Sequence, residues 1–250
     1  MIPSISDLII YEDEDLIVIN KPYGYFVHKS SLDAKSDQIL MYPVRDYVGS
    51  HVYPVHRLDR KTTGVLLFAK SKSGLIHYNK TFEERRTIKT YVSICRGFMP
   101  DEGIIDYPLK TESGKSQEAI TRYRVIQKSE IDLAHKNFTT SRYSLVVFYP
   151  ETGRMHQIRR HASHIFHPIV ADRPHGCNKQ NKLLGENLNI HHMPLHAISL
   201  VLINNQNENV FSFFAQLPPA FVQSALLLGF ELPTYLYDAN LFFTDIISKP

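Results

Sequence analysis

Residues 56–70 read HRLDRKTTGVLLFAK. One carboxylate, Asp59, stands between two arginines, and a five-residue apolar run follows a glycine. This run, residues 65–69, has the length and the β-branched and aromatic content of a buried strand. We therefore predict that Asp59 lies on a loop leading into a sheet, where a rigid scaffold can hold a reactive group in place.

The charges around Asp59 favour its ionised form, because nearby cations stabilise a carboxylate and Arg57 and Arg60 flank it. An ionised carboxylate can act as a nucleophile or as an electrostatic stabiliser, but it is a poor general acid at neutral pH. A loop aspartate near a glycine more often only caps a turn. The other motifs of the chain favour the catalytic interpretation.

The composition is that of an ordinary globular protein, with 250 residues, 43% hydrophobic and 21% charged. This length allows one domain with a sizeable core. No apolar stretch is long enough to cross a bilayer, and the N-terminus lacks a basic region followed by an apolar one. The two cysteines, Cys95 and Cys177, are too isolated for a disulfide framework or a paired metal motif. We predict a soluble cytoplasmic protein.

The net charge of +3 is unevenly distributed along the chain. Residues 54–97 carry +7 and residues 151–182 carry +4, whereas residues 1–53 and 183–250 each carry −4. Two basic segments that meet in space would form a surface suited to a polyanion, nucleic acid first of all. A single charge run is more often a solvated face. Here both basic segments coincide with motifs, which favours binding.

The hydrophobic pattern predicts strands joined by tight turns, with helices interspersed irregularly. This favours an α+β fold, a mixed and largely antiparallel sheet with flanking helices, over a doubly wound one. No glycine-rich phosphate loop is present, so a nucleotide cofactor has little support. The predicted strands are 8–11, 16–20, 88–95, 119–126, 141–149, 195–203 and 210–215, with a turn at 204–207, and the predicted helices are 74–86, 155–166 and 219–228.

A second dense motif runs from residue 152 to residue 172. On the predicted helix, four apolar residues share one face at spacings of three and four: Met155, Ile158, Ala162 and Ile165. Arg159 lies beside that face, and a partly buried arginine needs an anionic partner. Asp59 is the obvious candidate. The alternative is an arginine that extends from the edge of a core helix into solvent.

Histidines are frequent in this second motif, and His161 and His164 have a spacing that could bind zinc on a helix. No glutamate completes a His-Glu-x-x-His arrangement and no cysteine pair is nearby, so we predict no metal.

A third motif, Lys89-Thr90-Tyr91, stands at the start of a predicted strand. The ring of Tyr91 could stack on a nucleobase, although a strand tyrosine is often ordinary core.

Together these motifs resemble those of the RluA-type family of RNA pseudouridine synthases. The catalytic motif of that family is similar to His56-Arg57-Leu58-Asp59 with the strand that follows, and its tyrosine motif is similar to Lys89-x-Tyr91. Its third motif is similar to residues 152–159, TGRMHQIR. Further matches are Lys21-Pro22-x-Gly24, Val27-His28 and Leu195-His196-Ala197. The matches follow the order of the family across residues 8–215.

Within the family, two segments are similar to the tRNA pseudouridine-65 synthase branch: Arg159-Arg160-His161, and Asp172-x-x-His175-Gly176 followed by Asn181. The chain also departs from the usual family pattern without losing a group that the chemistry needs. The departures are Thr63 for Ser, Ala162-Ser163 for a Leu-Ala pair, Ala171 for Gly, and His192 for an Arg.

The resemblance implies an isomerase that converts a specific uridine of RNA into pseudouridine without a metal or a cofactor. It points to tRNA, at position 65 in the acceptor and T-stem region, as the partner, with no obligate protein partner. It also implies one catalytic domain over residues 1–250, with the core motifs in 8–215 and a helical extension at 216–250. No N-terminal S4-like RNA-binding domain is expected.

The resemblance also assigns roles to individual residues. Asp59 is the central catalytic group, Arg159 pairs with it, and Tyr91 stacks on the uracil. Arg57 fills the gap left by a flipped-out nucleotide, and Leu195 packs against the base. Phosphate contacts, which position RNA without reading its sequence, are expected from four cations: Arg60, Lys89, Arg154 and Arg160.

Two alternatives remain open from the sequence. The nearer one is the same chemistry on a uridine of ribosomal RNA. The other is a non-catalytic RNA-binding protein that has kept the scaffold, against which the intact Asp59, Tyr91 and Arg159 argue. The sequence also leaves open whether Asp59 forms a covalent adduct with the sugar, attacks the pyrimidine ring, or acts through deprotonation of the ribose.

Overall fold

The structure, a computed structural model, describes residues 4–28, 38–135, 137–203 and 210–244. The chain divides into two compact units. The first unit comprises residues 1–89 and 197–216, and the second comprises residues 90–196 and 217–250. Within the described residues, no helix is long and apolar enough to span a membrane.

The described residues form strands and helices in an irregular order. The strands are β1 (Ile9–Glu12), β2 (Leu16–Lys21), β3 (Tyr53–Pro54), β4 (Thr63–Ala69), β5 (Thr87–Arg96), β6 (Glu102–Asp106), β7 (Leu109–Lys110), β8 (Ser116–Gln117), β9 (Ile120–Ile131), β10 (Ser141–Pro150), β11 (Leu195–Ile203) and β12 (Val210–Phe214). The helices are α1 (Met41–Val48), α2 (Lys72–Glu83), α3 (Gln157–His164), α4 (Asn178–Leu188), α5 (Pro219–Leu227) and α6 (Ala239–Phe242). The strands β5 and β11 contribute residues to both units.

The first unit is built on β4, whose seven residues are all buried. This confirms the buried strand predicted after Asp59. The strand β2 pairs antiparallel with β4, from Leu16 opposite Ala69 to Lys21 opposite Gly64, and β1 pairs antiparallel with β2. The short strand β3 also pairs with β4, and β12 pairs with β11. Their apolar side chains form one buried cluster with those of β11.

Gly64, at the start of β4, lies where no side chain fits. Its φ is +111°, and a Cβ atom built there would lie 2.2 Å from the carbonyl oxygen of Ala197. We expect Gly64→Ala to lower the free energy of unfolding by about 3 kcal/mol or more, because strain in φ adds to a backbone clash. Urea denaturation of the two proteins measures the difference.

Gly114 provides the matched control for that substitution. Its φ is +85°, and a Cβ atom there would meet nothing within 4 Å. Gly114→Ala therefore introduces the φ strain without the clash, and we expect a loss of about 1 kcal/mol. Equal losses for the two variants would contradict the clash at Gly64.

The second unit is built on β10, which pairs antiparallel with β5 on one side and with β9 on the other. The edge strand β6 continues from β9, again antiparallel. A buried apolar cluster joins β5 and β10 to α3 and to the start of β11; it contains Cys95, Val146, Phe148, Ile158, Ala162 and Leu195. The α+β fold and the largely antiparallel sheet are confirmed.

Several local predictions differ from the structure. The helices α1 and α4 were not predicted, because the only side chains they bury are Val44 in α1 and Gln180 and Leu184 in α4. The helix α3 begins at Gln157, later than predicted, because His156 has a φ of +54°. Met155 therefore precedes the helix and is 43% exposed, so its placement on the buried face was wrong.

Two predictions about organisation are not decided by these elements. The turn expected at residues 204–207 lies outside the described residues. The assignment of residues 1–250 to one catalytic domain, with 216–250 as its extension, stays a prediction.

Candidate active site

The loop that carries Asp59 connects β3 to β4 in the first unit. Asp59 is half-buried there. Its carbonyl oxygen accepts a hydrogen bond of 3.0 Å from the backbone N–H of Thr62, which closes a tight turn before the strand. The predicted position of Asp59, on a short loop leading into a buried strand, is confirmed. This bond fixes the backbone of the loop at Asp59.

Lys21, at the end of β2, binds the backbone of this loop. Its side chain is fully buried, and Nζ donates hydrogen bonds to the carbonyl oxygens of Pro22 (3.0 Å), Arg60 (3.1 Å) and Thr62 (2.8 Å). These bonds use all three donors of an ammonium group. Burial lowers the pKa of Lys21 to about 7, and the charge of Asp59 opposes that shift.

Lys21 was matched only as part of the Lys21-Pro22-x-Gly24 motif, and sequence reasoning gave it no role. The signal was its place at the end of an apolar strand, where a charged residue must find buried partners. Two of those partners are the carbonyl groups of Arg60 and Thr62, which lie one and three residues beyond Asp59. The buried amine thus connects the motif to the loop that carries Asp59.

The two arginines of the loop differ in their surroundings. Arg57 is exposed. Arg60 is also exposed, but its Nε donates to the carbonyl oxygen of Gly24 at 2.9 Å and its Nη2 donates to Oε1 of Gln38 at 3.2 Å. Its guanidinium lies 5.0 Å from the centre of the Phe26 ring. Arg60 therefore fastens the loop to the segment around Gly24, and its predicted phosphate contact stays a prediction.

His56 begins the motif and has a structural place in the first unit. Its Nε2 accepts a hydrogen bond of 3.2 Å from the backbone N–H of Leu67, and its ring stacks on Phe82 with the centroids 5.2 Å apart. Burial, assisted by the charge of Lys89, lowers the pKa of His56 to about 4. His56 is therefore neutral at physiological pH and supports β4 rather than donating protons.

The second unit brings Tyr91 and Leu195 to the same apolar cluster. Tyr91 is half-buried on β5, opposite Phe148 of β10, and it packs against the cluster that contains Ile158 and Leu195. Ile158 immediately precedes Arg159 on α3. The two residues predicted to contact the base, Tyr91 and Leu195, thus lie at one apolar cluster, and Arg159 directly follows Ile158 of that cluster in the sequence.

Arg159 forms a buried ion pair with Asp172. Its Nε lies 2.8 Å from Oδ2 and its Nη2 lies 2.9 Å from Oδ1 of that carboxylate. The side chains are only 6% and 1% exposed. The sequence predicts an anionic partner for a partly buried Arg159, with Asp59 as the candidate. The structure supplies Asp172, one of only two acids in the basic segment 151–182, and the pairing of Arg159 with Asp59 stays a prediction.

The turn before α3 is fixed by Gln157. Its Oε1 accepts hydrogen bonds from Oγ1 of Thr152 at 2.7 Å and from the backbone N–H of Arg154 at 2.9 Å. Its Nε2 donates to the carbonyl oxygen of Ile120 at 2.9 Å. A buried glutamine with its donors and acceptors satisfied fixes the start of the helix, and this accounts for Thr152 and Gln157 of the motif.

His161 is a core residue rather than a metal ligand. Its Nδ1 lies 2.9 Å from Oγ1 of Thr121, and its Nε2 lies 2.9 Å from the carbonyl oxygen of Tyr107. Burial lowers its pKa. His164 instead stacks on Tyr107. In the part of the chain that the structure describes, no group of three or more His, Cys, Asp or Glu side chains is placed to hold a metal ion.

Ala171, which precedes Asp172, has a φ of +57°. The left-handed conformation costs a residue with a Cβ atom about 1 kcal/mol, which explains why a glycine is usual here. We expect Ala171→Gly to raise the free energy of unfolding by about 0.5 kcal/mol, because relief of strain exceeds the added chain entropy. Thermal unfolding measures this. Ala162→Gly, in α3, should lower stability by about 1 kcal/mol, and a fall in both variants would contradict the strain.

Arg154 and Arg160 line a groove of about 410 Å³ in the second unit. The lining also includes Lys110, Thr111 and Glu112 from the β7–β8 hairpin. Nε of Arg154 donates to the carbonyl oxygen of Glu118 at 2.9 Å, so this arginine is held along the groove. Cations along an open groove suit a phosphate backbone, which agrees with the predicted roles of these two arginines.

A family model supplies the decisive comparison. Residues 15–164 match the model of the family described as RNA pseudouridylate synthase. The chain belongs to this family. It is therefore an isomerase that converts uridine in RNA to pseudouridine, as the motifs predicted.

Individual relatives agree with the family assignment. The tRNA pseudouridine synthase C of Vibrio vulnificus is 39% identical over 93% of this chain and 98% of the relative. The tRNA pseudouridine synthase C of Haemophilus influenzae is 38% identical over 89% of this chain and 98% of the relative. These likenesses confirm the branch of the family that the Asp172-x-x-His175-Gly176 motif predicted.

Solved structures of human proteins show the same architecture. Human RNA pseudouridylate synthase domain containing 4 is 26% identical and covers 92% of this chain and 95% of its own, with a TM-score of 0.71. Human RNA pseudouridylate synthase domain containing 1, at 22% identity and a TM-score of 0.65, covers 93% of this chain and all of its own, and it shows the fold alone.

Proposed function

We propose that this pseudouridine synthase modifies a uridine of tRNA, at position 65, with Asp59 as its central catalytic group. The observation that carries the choice of tRNA is the 39% identity over 93% of the chain to a protein named tRNA pseudouridine synthase C. The anchoring of the Asp59 loop by Lys21 and Arg60 supports the choice of Asp59.

The reaction explains why a single ionised carboxylate is enough as the central catalytic group. The bond from N1 of uracil to C1′ of the ribose breaks, the base rotates, and a bond from C5 to C1′ forms. The hydrogen on C5 is lost and N1 gains a proton, so the reaction is an isomerisation with no net redox change. Cleavage develops positive charge on the sugar, as in glycoside hydrolysis, and an ionised carboxylate stabilises that charge. The three routes left open for Asp59 share this requirement.

The other predicted residues act on the base and on the RNA backbone. Tyr91 stacks on the uracil, Leu195 packs against it, and Arg159 pairs with Asp59 to keep the carboxylate charged and oriented. Arg57, exposed on the same loop as Asp59, fills the gap left by the flipped nucleotide and offsets part of the few kcal/mol lost on unstacking. The groove that contains Arg154 and Arg160 supports a phosphate contact there.

RNA binding should weaken steeply with salt, because phosphate contacts release counterions. With the four cations Arg60, Lys89, Arg154 and Arg160 on phosphates, the logarithm of the association constant should fall with the logarithm of the salt concentration with a slope of about −3. Filter binding of a tRNA transcript between about 50 and 200 mM salt measures this slope.

Two variants test which cations are responsible. Arg154→Ala should reduce the slope by about one. Lys128→Ala is the control, because Lys128 lies on β9 outside the two basic segments, has its Nζ 2.6 Å from Oδ1 of Asp101, and is not part of the groove. A flat salt response of the wild-type protein would remove the argument for a basic RNA-binding surface.

Product mapping tests the proposed substrate. An unmodified tRNA transcript and a ribosomal RNA transcript are each incubated with the protein, and pseudouridine is then mapped by chemical labelling and primer extension. Pseudouridine at position 65 of the tRNA supports the proposal. Pseudouridine in the ribosomal RNA alone would contradict it and identify ribosomal RNA as the substrate. Release of tritium from tRNA labelled at C5 of uracil separates catalysis from binding without turnover.

A further inference from the structure

The predicted catalytic residue Arg159 is held in a fixed plane. Its contacts to Asp172 run in parallel, from Nε to Oδ2 and from Nη2 to Oδ1. A bidentate pair fixes both the position and the plane of a guanidinium. Because both side chains are almost completely buried, breaking the pair would leave a buried charge without compensation.

Asp172 is itself held by α4. Nδ2 of Asn181 donates to the carbonyl oxygen of Asp172 at 2.8 Å, and Oδ1 of the same side chain accepts from the backbone N–H of Ala171 at 3.0 Å. The side-chain amide of Asn181 therefore fixes the backbone of both Ala171 and Asp172. Gly176 packs so closely that a Cβ atom there would lie 2.0 Å from the carbonyl oxygen of Asp172.

A second link joins the same two segments. Nδ1 of His156, just before α3, lies 2.9 Å from Nε2 of His175, three residues beyond Asp172. Burial lowers the pKa of His175, and the charges of Arg159, His156 and Arg160 act in the same direction while Asp172 opposes them. In this contact one ring nitrogen donates a hydrogen bond to the other. The segment 171–176 and the start of α3 are thus connected at two points.

We propose that Asp172 is a positioning residue for Arg159, and that the His156–His175 hydrogen bond is a second clamp that keeps the segment 171–176 against α3. The proposal rests on the proposed role of Arg159 in catalysis. A guanidinium bound through both Nε and Nη2 is held in one plane, so its orientation is set before RNA binds. Side chains fixed in advance lower the barrier without tightening substrate binding.

The asparagine variant Asp172→Asn tests this role because it keeps the shape but removes the charge. We expect kcat on a tRNA transcript to fall by about 10-fold to 100-fold, the usual cost of losing an orienting partner, with KM nearly unchanged. Asp172→Glu should recover part of kcat. Asp101→Asn is the matched control: Asp101 is an exposed acid of the same unit, paired with Lys128, and its loss should leave kcat as it was.

A double-mutant cycle separates positioning from folding. In the wild-type background Arg159→Lys should lower kcat strongly, because lysine cannot form the bidentate pair. In the Asp172→Asn background the same change should cost much less, since the orientation is already lost. Independent effects would overturn the proposal, because a merely structural Asp172 predicts that the two losses multiply.

His175→Gln is the second variant, in case Asp172→Asn does not fold. It removes the clamp but leaves Asp172 in place, and circular dichroism shows whether it is folded. We expect kcat to fall by a few-fold with KM unchanged, and wild-type kcat in this folded variant would overturn the second clamp. If the wild-type protein itself forms no pseudouridine in tRNA, the proposed substrate fails; if it is active and Asp172→Asn keeps its kcat, only the positioning role fails.

Discussion

Asp59→Asn should abolish pseudouridine formation, with the rate lowered by about 10⁴-fold or more, as for the loss of a central catalytic group. The amide keeps the shape of the side chain but cannot stabilise positive charge on the sugar or attack it. RNA binding should remain, because the substitution removes one negative charge and leaves the basic groove intact. Tritium release measures turnover, and filter binding measures affinity on the same preparation.

The control for this variant is Asp46→Asn. Asp46 lies on α1 in the same unit, exposed and 2.6 Å from Arg45, and its loss should leave turnover unchanged. Thermal unfolding of Asp59→Asn is needed as well, since the charge of Asp59 supports the protonated form of the buried Lys21. Appreciable residual turnover in a folded Asp59→Asn protein would exclude Asp59 as the central group.

Arg159→Met should lose both activity and stability. Methionine fills much of the same volume, but it leaves the carboxylate of Asp172 buried without its guanidinium. Breaking a buried ion pair from one side costs about 3–5 kcal/mol. We therefore expect a clear loss in urea denaturation together with loss of tritium release. Full activity in this variant would show that the proposed role of Arg159 is wrong.

Two further variants test whether the buried charge of Asp172 causes the loss of stability in Arg159→Met. Arg122→Met removes an arginine from an exposed pair with Glu151, and it should cost less than about 1 kcal/mol. The double variant Arg159→Met with Asp172→Leu removes both buried charges, so it should regain stability but remain inactive. A double variant as unstable as Arg159→Met alone would contradict the buried charge as the cause.

Sequence patterns alone determined the fold class, the family and the placement of Asp59. A buried strand must be apolar along its whole length, so residues 65–69 were recognisable without a structure. The loop before that strand then had to carry Asp59. The chemistry followed from the resemblance of three motifs, in a fixed order, to those of a known family.

Only the tertiary structure decided how these groups are held. Lys21 and Asp172 were both visible in matched motifs, but their partners lie far along the chain: Lys21 binds carbonyl groups about 40 residues away, and Asp172 binds a guanidinium 13 residues away. Charge patterns require that a buried charge has a partner, yet several partners satisfy that requirement equally well. The choice among them is made by the packing of strands and helices, since burial and distance set the energy of each pair.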